Sequence, residues 1–278
     1  MSTPDEANVP ASPAAGAWSA REPLATWLVP LPPHPGRPGV RSVRFEYSSR
    51  GDRVPGLLLL PAEGPGPYPL VLLQHGAGDS KDSDLLDAVR LPWVRGGVAV
   101  ASIDFPLHGE RTSAKLSEIL LASLADLHGA ERRHAVTLWQ GFATQAVHDL
   151  GRALDALSPH PEIAEDRVAY AAFSLGAILG ALYCAQEPRL RAAALALGGG
   201  GFGPPALDPA RHIGRFAGRP LLLVNATGDE RIPRSAADAL HAAAAAPKEV
   251  LWFDSGHHDL PGRALKAMWQ FLARSLEA

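Results

Sequence analysis

The stretch RVAYAAFSLGAILGA, Arg167–Ala181, decides how this chain is read. It opens as an apolar strand, passes through Phe173-Ser174-Leu175-Gly176, and continues as an apolar helix. A serine at a strand-to-helix turn is where a G-x-S-x-G pattern holds a nucleophile. Here Ala172 stands in place of the first glycine. Ser174 is therefore either a nucleophile in an altered frame or an ordinary turn serine, and the neighbouring elements have to decide which.

Outward from that stretch, after residue 40, short β-rich runs alternate with helical ones. VRSVRFEYS and VPGLLLLPA form a hairpin whose turn is Arg50-Gly51-Asp52. YPLVLLQHG, GVAVASIDF, RVAYAAFS, LRAAALALGG, RPLLLVNATGD and KEVLWFDSG follow, several of them continuously apolar. Strands buried on both faces of a parallel sheet read this way. Helices are expected over 82–95, within 113–157, and over 176–186, 234–245 and 263–276, with Pro233 at a position a helix start tolerates. Val147, Leu150, Leu154 and Leu157 form one apolar stripe at helical spacing. The expected fold class is α/β: a mostly parallel, twisted sheet of about eight strands with helices on both faces. Such sheets bind ligands beyond the carboxyl ends of their strands.

The composition, 46% hydrophobic and 20% charged over 278 residues, is that of a globular chain with a large core. Residues 1–40 are different: rich in Ala and Pro, they read as an arm, extended or partly disordered, ahead of a catalytic domain over 41–278. Trp18, Trp27 and Leu28 are expected to pin the later part of the arm to the body. The net charge of −3 gives no basic stripe for nucleic acid. No apolar run reaches the roughly 18 residues of a membrane span, and the N-terminus lacks the apolar region of a secretory signal. Cys184 is the single cysteine, so no internal disulfide forms. A cytoplasmic location is expected.

Four strand ends carry polar residues that suit one chemistry. LVLLQ ends in His75-Gly76-Ala77-Gly78, and the strand of the opening stretch ends at Ser174. LLLVN runs into Ala226-Thr227-Gly228-Asp229-Glu230-Arg231-Ile232-Pro233, and VLWFD into Ser255-Gly256-His257-His258-Asp259. A serine is a weak nucleophile until a base takes its proton, and that base needs an acceptor to fix its tautomer. His257, directly after Gly256, is the candidate base and His258 its rival. Asp229, Glu230 and Asp254 are the candidate acids, Asp254 being the strand-end residue that should face solvent. The chain order, oxyanion loop, Ser, Asp, His, is that of the α/β-hydrolases.

On these residues the chain resembles the α/β-hydrolase superfamily, in particular the esterases near dienelactone hydrolase and the prolyl-oligopeptidase-type catalytic domains. The resemblance runs from about Val43 to the C-terminus. QHGAGDSKD is similar to the family's H-G-x-G loop, DFPLHGER to the turn after its fourth strand, and IAEDRVAY to the segment before its nucleophile. It implies a triad of Ser174, Asp229 and His257, with Asp229 on the loop after strand seven. Backbone N–H groups would hold the oxyanion: Leu175 after the nucleophile, and Ala77 with Gly78 as alternative. His75, Gly76, Gly78, His108 and Phe202 are expected to line the substrate pocket. Dienelactone hydrolases use a cysteine where this chain has Ser174, a departure that argues against a true member of that group.

Other motifs lead elsewhere and are set aside. Gly198-Gly199-Gly200-Gly201-Phe202-Gly203 satisfies G-x-G-x-x-G, but Pro204-Pro205 follow where a dinucleotide site needs a helix to begin. GAGDSK lacks the Gly-Lys-Ser/Thr of a phosphate loop, and the histidines show no ligand spacing for a metal. No cofactor is implied. The expected activity is hydrolysis of a small-molecule carboxylic ester through an acyl-enzyme. A thioesterase, amidase or small peptidase would use the same parts, and a non-catalytic binding member of the fold is the reading from another class. Segment 111–145 is a candidate partial cover: Ile119, Leu120, Leu121, Leu124 and Leu127 give an apolar helix face, followed by Trp139 and Phe142. If that face roofs the site, the pocket is shallow, suits acyl groups of about two to six carbons, and shows no interfacial activation.

Overall fold

The computed structural model describes residues 22–125 and 132–277. Trp18 and Leu127 lie outside the described residues, as does the side chain of Leu124. The strands are β1 (Trp27–Pro30), β2 (Val40–Ser49), β3 (Asp52–Pro61), β4 (Tyr68–Gln74), β5 (Ala99–Ile103), β6 (Ile163–Phe173), β7 (Leu190–Ala196), β8 (Leu221–Ala226) and β9 (Lys248–Phe253). They form one sheet in the order β1-β2-β3-β5-β4-β6-β7-β8-β9. The first three pairings are antiparallel, and every pairing from β5–β4 onward is parallel.

The helices are α1 (Asp84–Arg95), α2 (Ala114–Ala125), α3 (Arg132–Leu157), α4 (Leu175–Cys184), α5 (Pro209–His212), α6 (Arg234–Ala243) and α7 (Gly262–Glu277). Helices α3 and α4 cover one face of the sheet, and α1 and α7 the other. The stripe Val147, Leu150, Leu154 and Leu157 is buried against the first of these faces. Strands β7 and β8 are buried along almost their whole length, which is why they carry unbroken apolar runs rather than alternation.

The sheet has one strand more than expected. Trp27–Pro30 pairs with β2 in antiparallel register, Trp27 opposite Glu46 and Pro30 opposite Val43. The backbone makes this attachment. Trp27 is 38% exposed and Leu28 36%, so these side chains do not pin the arm to the body as expected.

Candidate active site

Strand β6 ends at Phe173 and α4 begins at Leu175, leaving Ser174 alone at the corner. Its backbone is at φ 51° and ψ −117°. A non-glycine residue held there costs about 1–3 kcal/mol, which the surroundings must offset. They do so with hydrogen bonds on both sides of the residue. The Ser174 N–H donates to the Ala196 carbonyl at 2.9 Å, and the Ser174 carbonyl accepts from Ala177 and Ile178 at 2.8 and 3.0 Å.

The size of the flanking residues follows from the same corner. A Cβ on Gly176 would stand 2.6 Å from the carbonyl oxygen of His75 and 3.2 Å from the Cβ of Ala172. The glycine after the serine is thus required by a backbone contact. On the strand side a methyl fits: Ala172 is wholly buried, and its Cβ occupies space that a larger residue at 176 would need.

Two loops bring further side chains to Ser174. His257, on the loop after β9, has Nε2 2.8 Å from Ser174 Oγ. Its Nδ1 lies 2.9 Å from both carboxylate oxygens of Asp229, on the loop after β8. A carboxylate can only accept here, so Nδ1 carries the proton and Nε2 is left to accept from the serine hydroxyl. Asp229 is itself held by the N–H groups of Arg231 and Ile232, each donating to Oδ1 at 2.8 Å. The side chains of His257 and Asp229 are both only 6% exposed, which removes water from the contact between them.

The rival residues lie apart from this relay. Glu230 accepts the backbone N–H of His257 at 3.2 Å, and backbone N–H donors hold its carboxyl below the usual range. His258 points outward, 71% exposed. Asp254 is exposed and accepts the Thr227 hydroxyl at 3.3 Å. Cys184 is fully buried in α4, and burial pushes its thiol pKa up.

Ser174 stands where two hollows meet, one of about 900 Å³ and one of about 370 Å³. Ala77, Gly78, Ser174 and Arg231 line both. Gly76 runs against the serine, its Cβ position 3.4 Å from Ser174 Cβ, and lines the smaller hollow with His257, Leu85 and Leu260. Leu175, Ile178, Phe202, Ile232, Trp139 and Leu121 line the larger one. The N–H groups of Ala77 and Leu175 have no acceptor among the described residues.

Two expected pocket residues line neither hollow. His75 is 1% exposed; its Nδ1 donates to the Gly76 carbonyl at 2.7 Å and its Nε2 accepts the Phe105 N–H at 3.3 Å. Burial pulls its pKa down to about 4. His108 packs behind it, with ring centres 5.3 Å apart, and burial lowers its pKa as well. Both histidines turn away from the pocket: backbone groups engage both ring nitrogens of His75 and Nδ1 of His108, whereas the buried Nε2 of His108 has no partner among the described residues. Leu121 and Trp139 form part of the wall of the larger hollow, whose volume of about 900 Å³ lies near the upper end of the range for ligand sites. Arg231, Asp208, Ala210, Ser235 and Ala236 were not anticipated in the lining. Arg231 stands two residues from Asp229, the one signal that pointed there.

Comparison with known proteins agrees with this architecture. No family model matches the chain. An acetyl xylan esterase from Paenibacillus sp. R4 superposes with a TM-score of 0.74 at 20% identity, covering 94% of this chain and 92% of that one. A cold-adapted esterase from an Arctic intertidal metagenomic library gives 0.69 at 22% identity, covering 86% and 95%. Acetyl xylan esterase 1 from Thermoanaerobacterium sp. JW/SL YS485 gives 0.69 at 17% identity, covering 94% and 90%. This chain has the α/β-hydrolase fold. In sequence, a segment of 72 residues is 42% identical to a tetraacyldisaccharide 4′-kinase of Hyphomonas neptunium, covering 25% of this chain. The chain spans about a fifth of the length of that curated relative. Among the described residues, no helix is long and apolar enough to cross a membrane.

The corner around Ser174 predicts a graded response to size. Ala172→Gly should leave the melting temperature nearly unchanged. Ala172→Val should cost roughly 1–3 kcal/mol by overpacking, and Gly176→Val should abolish soluble, cooperatively melting protein. An Ala172→Val protein as stable as the parent in thermal unfolding would show the corner to be looser than described.

The buried, neutral His75 gives a pH prediction. Its folded pKa of about 4 lies below the ordinary 6.5, so the unfolded chain binds a proton that the folded one refuses. The stability it contributes is present above about pH 6.5 and is lost as the pH falls toward about 4, on the order of 3 kcal/mol in all. Urea unfolding across that window should show the loss, and His75→Gln should remove this part of the pH dependence. Equal slopes in the two proteins would assign the loss to other histidines.

Proposed function

We propose that the protein is a serine hydrolase that cleaves small-molecule carboxylic esters through an acyl-enzyme intermediate. The observation that carries this is the continuous relay from Ser174 Oγ through both ring nitrogens of His257 to Asp229, each contact 2.8–2.9 Å, with the serine on a strained corner at the carboxyl end of the sheet. The fold's likeness to esterases supports the choice of esters over thioesters and amides.

In this reading Ser174 Oγ attacks the ester carbonyl carbon while its proton passes to His257 Nε2. Asp229 holds the ring and stabilises the imidazolium. The carbonyl oxygen, now negatively charged, takes the N–H groups of Ala77 and Leu175, which have no acceptor among the described residues. As the tetrahedral adduct collapses, His257 gives its proton to the departing alcohol oxygen. Water then repeats the sequence on the acyl-enzyme and frees the acid and the serine.

The proton donor orients the substrate. The alcohol must leave beside His257, which lines the smaller hollow and not the larger. The acyl group then lies along Leu175 and Ile178, in the hollow of about 900 Å³. A hollow of that volume supports acyl groups longer than two to six carbons, or ring-bearing ones.

Ser174→Ala and His257→Ala should each lower ester turnover roughly 10³-fold or more with folding intact. Asp229→Asn should lower it about 10⁴-fold by holding the wrong histidine tautomer. Fluorophosphonate should label the parent and not Ser174→Ala. Loss of activity in Glu230→Gln or His258→Ala, with Asp229→Asn or His257→Ala still active, would overturn the assignment.

Across p-nitrophenyl esters, kcat/KM should continue to climb beyond six acyl carbons, by up to about 0.8 kcal/mol per added methylene. A maximum at acetate would place the acyl group outside the larger hollow.

A further inference from the structure

The loop from His75 to Ser83, which carries Ala77, has little backbone support of its own. Among the described residues its backbone–backbone hydrogen bonds lie only at its far end, Ser83 N–H to the Ser80 carbonyl within the loop and Asp87 N–H to the Ser83 carbonyl at the start of α1. Gly76 and Gly78 flank Ala77, so local stiffness cannot fix the direction of its N–H. The loop is held from outside at both ends by the corner Asp104-Phe105, directly after β5, and at Lys81 also by Arg90 of α1, whose Nη1 donates to the Lys81 carbonyl at 2.6 Å.

At the leading end, the Phe105 N–H donates to His75 Nε2, and the two rings pack with centres 4.9 Å apart. At the trailing end, Asp104 Oδ1 accepts the backbone N–H of Lys81 at 2.8 Å, and Oδ2 accepts Lys81 Nζ at 3.2 Å. Lys81 is 2% exposed and Asp104 not at all. Asp82 and Glu110 also accept from Lys81 Nζ, each at 2.6 Å, so the buried ammonium is well paired. Its carboxylate partners outweigh burial and hold its pKa above the ordinary value.

The corner is rigid in its turn. Asp104 Oδ2 also accepts the Glu110 N–H at 2.9 Å. The chain wraps so tightly that a Cβ on Gly109 would come within 2.2 Å of the Asp104 carboxyl. Buried charge of this kind is weak evidence for stability, because apolar residues often pack as well. The placement of the two anchors, His75 two residues before Ala77 and Lys81 four residues after it, points to geometry instead.

We infer that Asp104 is a positioning residue for the oxyanion site: by holding Lys81, beside the Phe105 amide that holds His75, it clamps both ends of the loop that aims the Ala77 N–H. The inference rests on the ester-hydrolase reading above. Asp104 touches no reacting atom. It acts by fixing where a donor stands before the charge develops, which is the condition for that donor to act fully in the transition state.

The test is Asp104→Asn, which keeps the shape and the acceptor for the Lys81 N–H but removes the charge by which the corner holds Nζ, leaving Asp82 and Glu110 as its carboxylate partners. Active sites are first counted with a fluorophosphonate, so that kcat is read per competent site. The expected result is a kcat at least tenfold lower with KM within about twofold. The affinity of phenylboronic acid, whose tetrahedral adduct with Ser174 places an oxygen in the oxyanion site, should fall by a similar factor. A purely structural role would reduce the number of competent sites and leave these per-site values unchanged. If Asp104→Asn does not fold, the double variant Lys81→Met/Asp104→Asn, which leaves neither member of the pair charged, serves in its place with the same expectation. Per-site kcat and boronate affinity within twofold of the parent, in whichever variant folds, would overturn the inference. A parent protein that neither turns over esters nor takes up fluorophosphonate would overturn the hydrolase reading instead, and the two failures are therefore distinct.

Discussion

The contact between the backbone of His75 and the α-carbon of Gly176 is where the molecule has least freedom. It fixes how closely α4 approaches the strand-to-loop passage after β4, and so the distance between the serine's corner and the loop on the neighbouring strand. Everything proposed for the site needs that distance: Ala77 opposite Leu175, and Gly76 against Ser174. The rest of the fold can be seen as support for it. The sheet supplies parallel strands that end at one edge, and the two helix layers press the corner from below. A methyl at 172 is admitted because it lies on the strand side of the contact, while one at 176 would meet a carbonyl oxygen.

Polar side chains near the site do two distinct jobs. His257 is joined to Ser174 and faces the smaller hollow, with Asp229 behind it. His75, Lys81 and Asp104 are more deeply buried, have their polar atoms largely engaged, and join one loop to another. Both sets involve low-dielectric surroundings, where a satisfied polar group stiffens its neighbours and an unsatisfied one is costly. The working set leaves room for a substrate, whereas the supporting set is closed.

Much of this was legible in the sequence, for identifiable reasons. Strands β4, β5, β7 and β8 are buried along most of their length and β6 over its second half, so they carry apolar runs that stand out between amphipathic helices, whereas β9 at the edge of the sheet is at most half-buried. Ser174, Asp229 and His257 were readable as candidates because each lies within four residues of the carboxyl end of a strand, and the structure brings those three side chains together. β1 was missed because four residues in a Pro-rich stretch offer neither alternation nor length. His75 and His108 were expected in the pocket because they flank glycine-rich turns. Their orientation depends on the Phe105 N–H and the Pro106 carbonyl, which no residue pattern reveals. The Lys81–Asp104 pair was equally hidden, since 23 residues separate its members and both sit in segments that read as ordinary charged loops. The wall of the larger hollow at Asp208 and Ala210 escaped for a similar reason: it comes from a four-residue helix and its cap, with no apolar stripe.

The short first strand has a bearing on how the protein behaves among copies of itself. β2 is ten residues long, and without a neighbour its outer side would offer a row of unpaired N–H and C=O groups to any passing strand. Trp27–Pro30 occupies four positions of that row. Its own outer side is brief and ends in Pro30, which has no N–H to donate, so the sheet terminates in an edge too short and too irregular to serve as a template. A chain deprived of these residues would keep its corner, its relay and both hollows, yet it would present a long, regular β-edge to solvent. Its solubility, more than its chemistry, would register the loss.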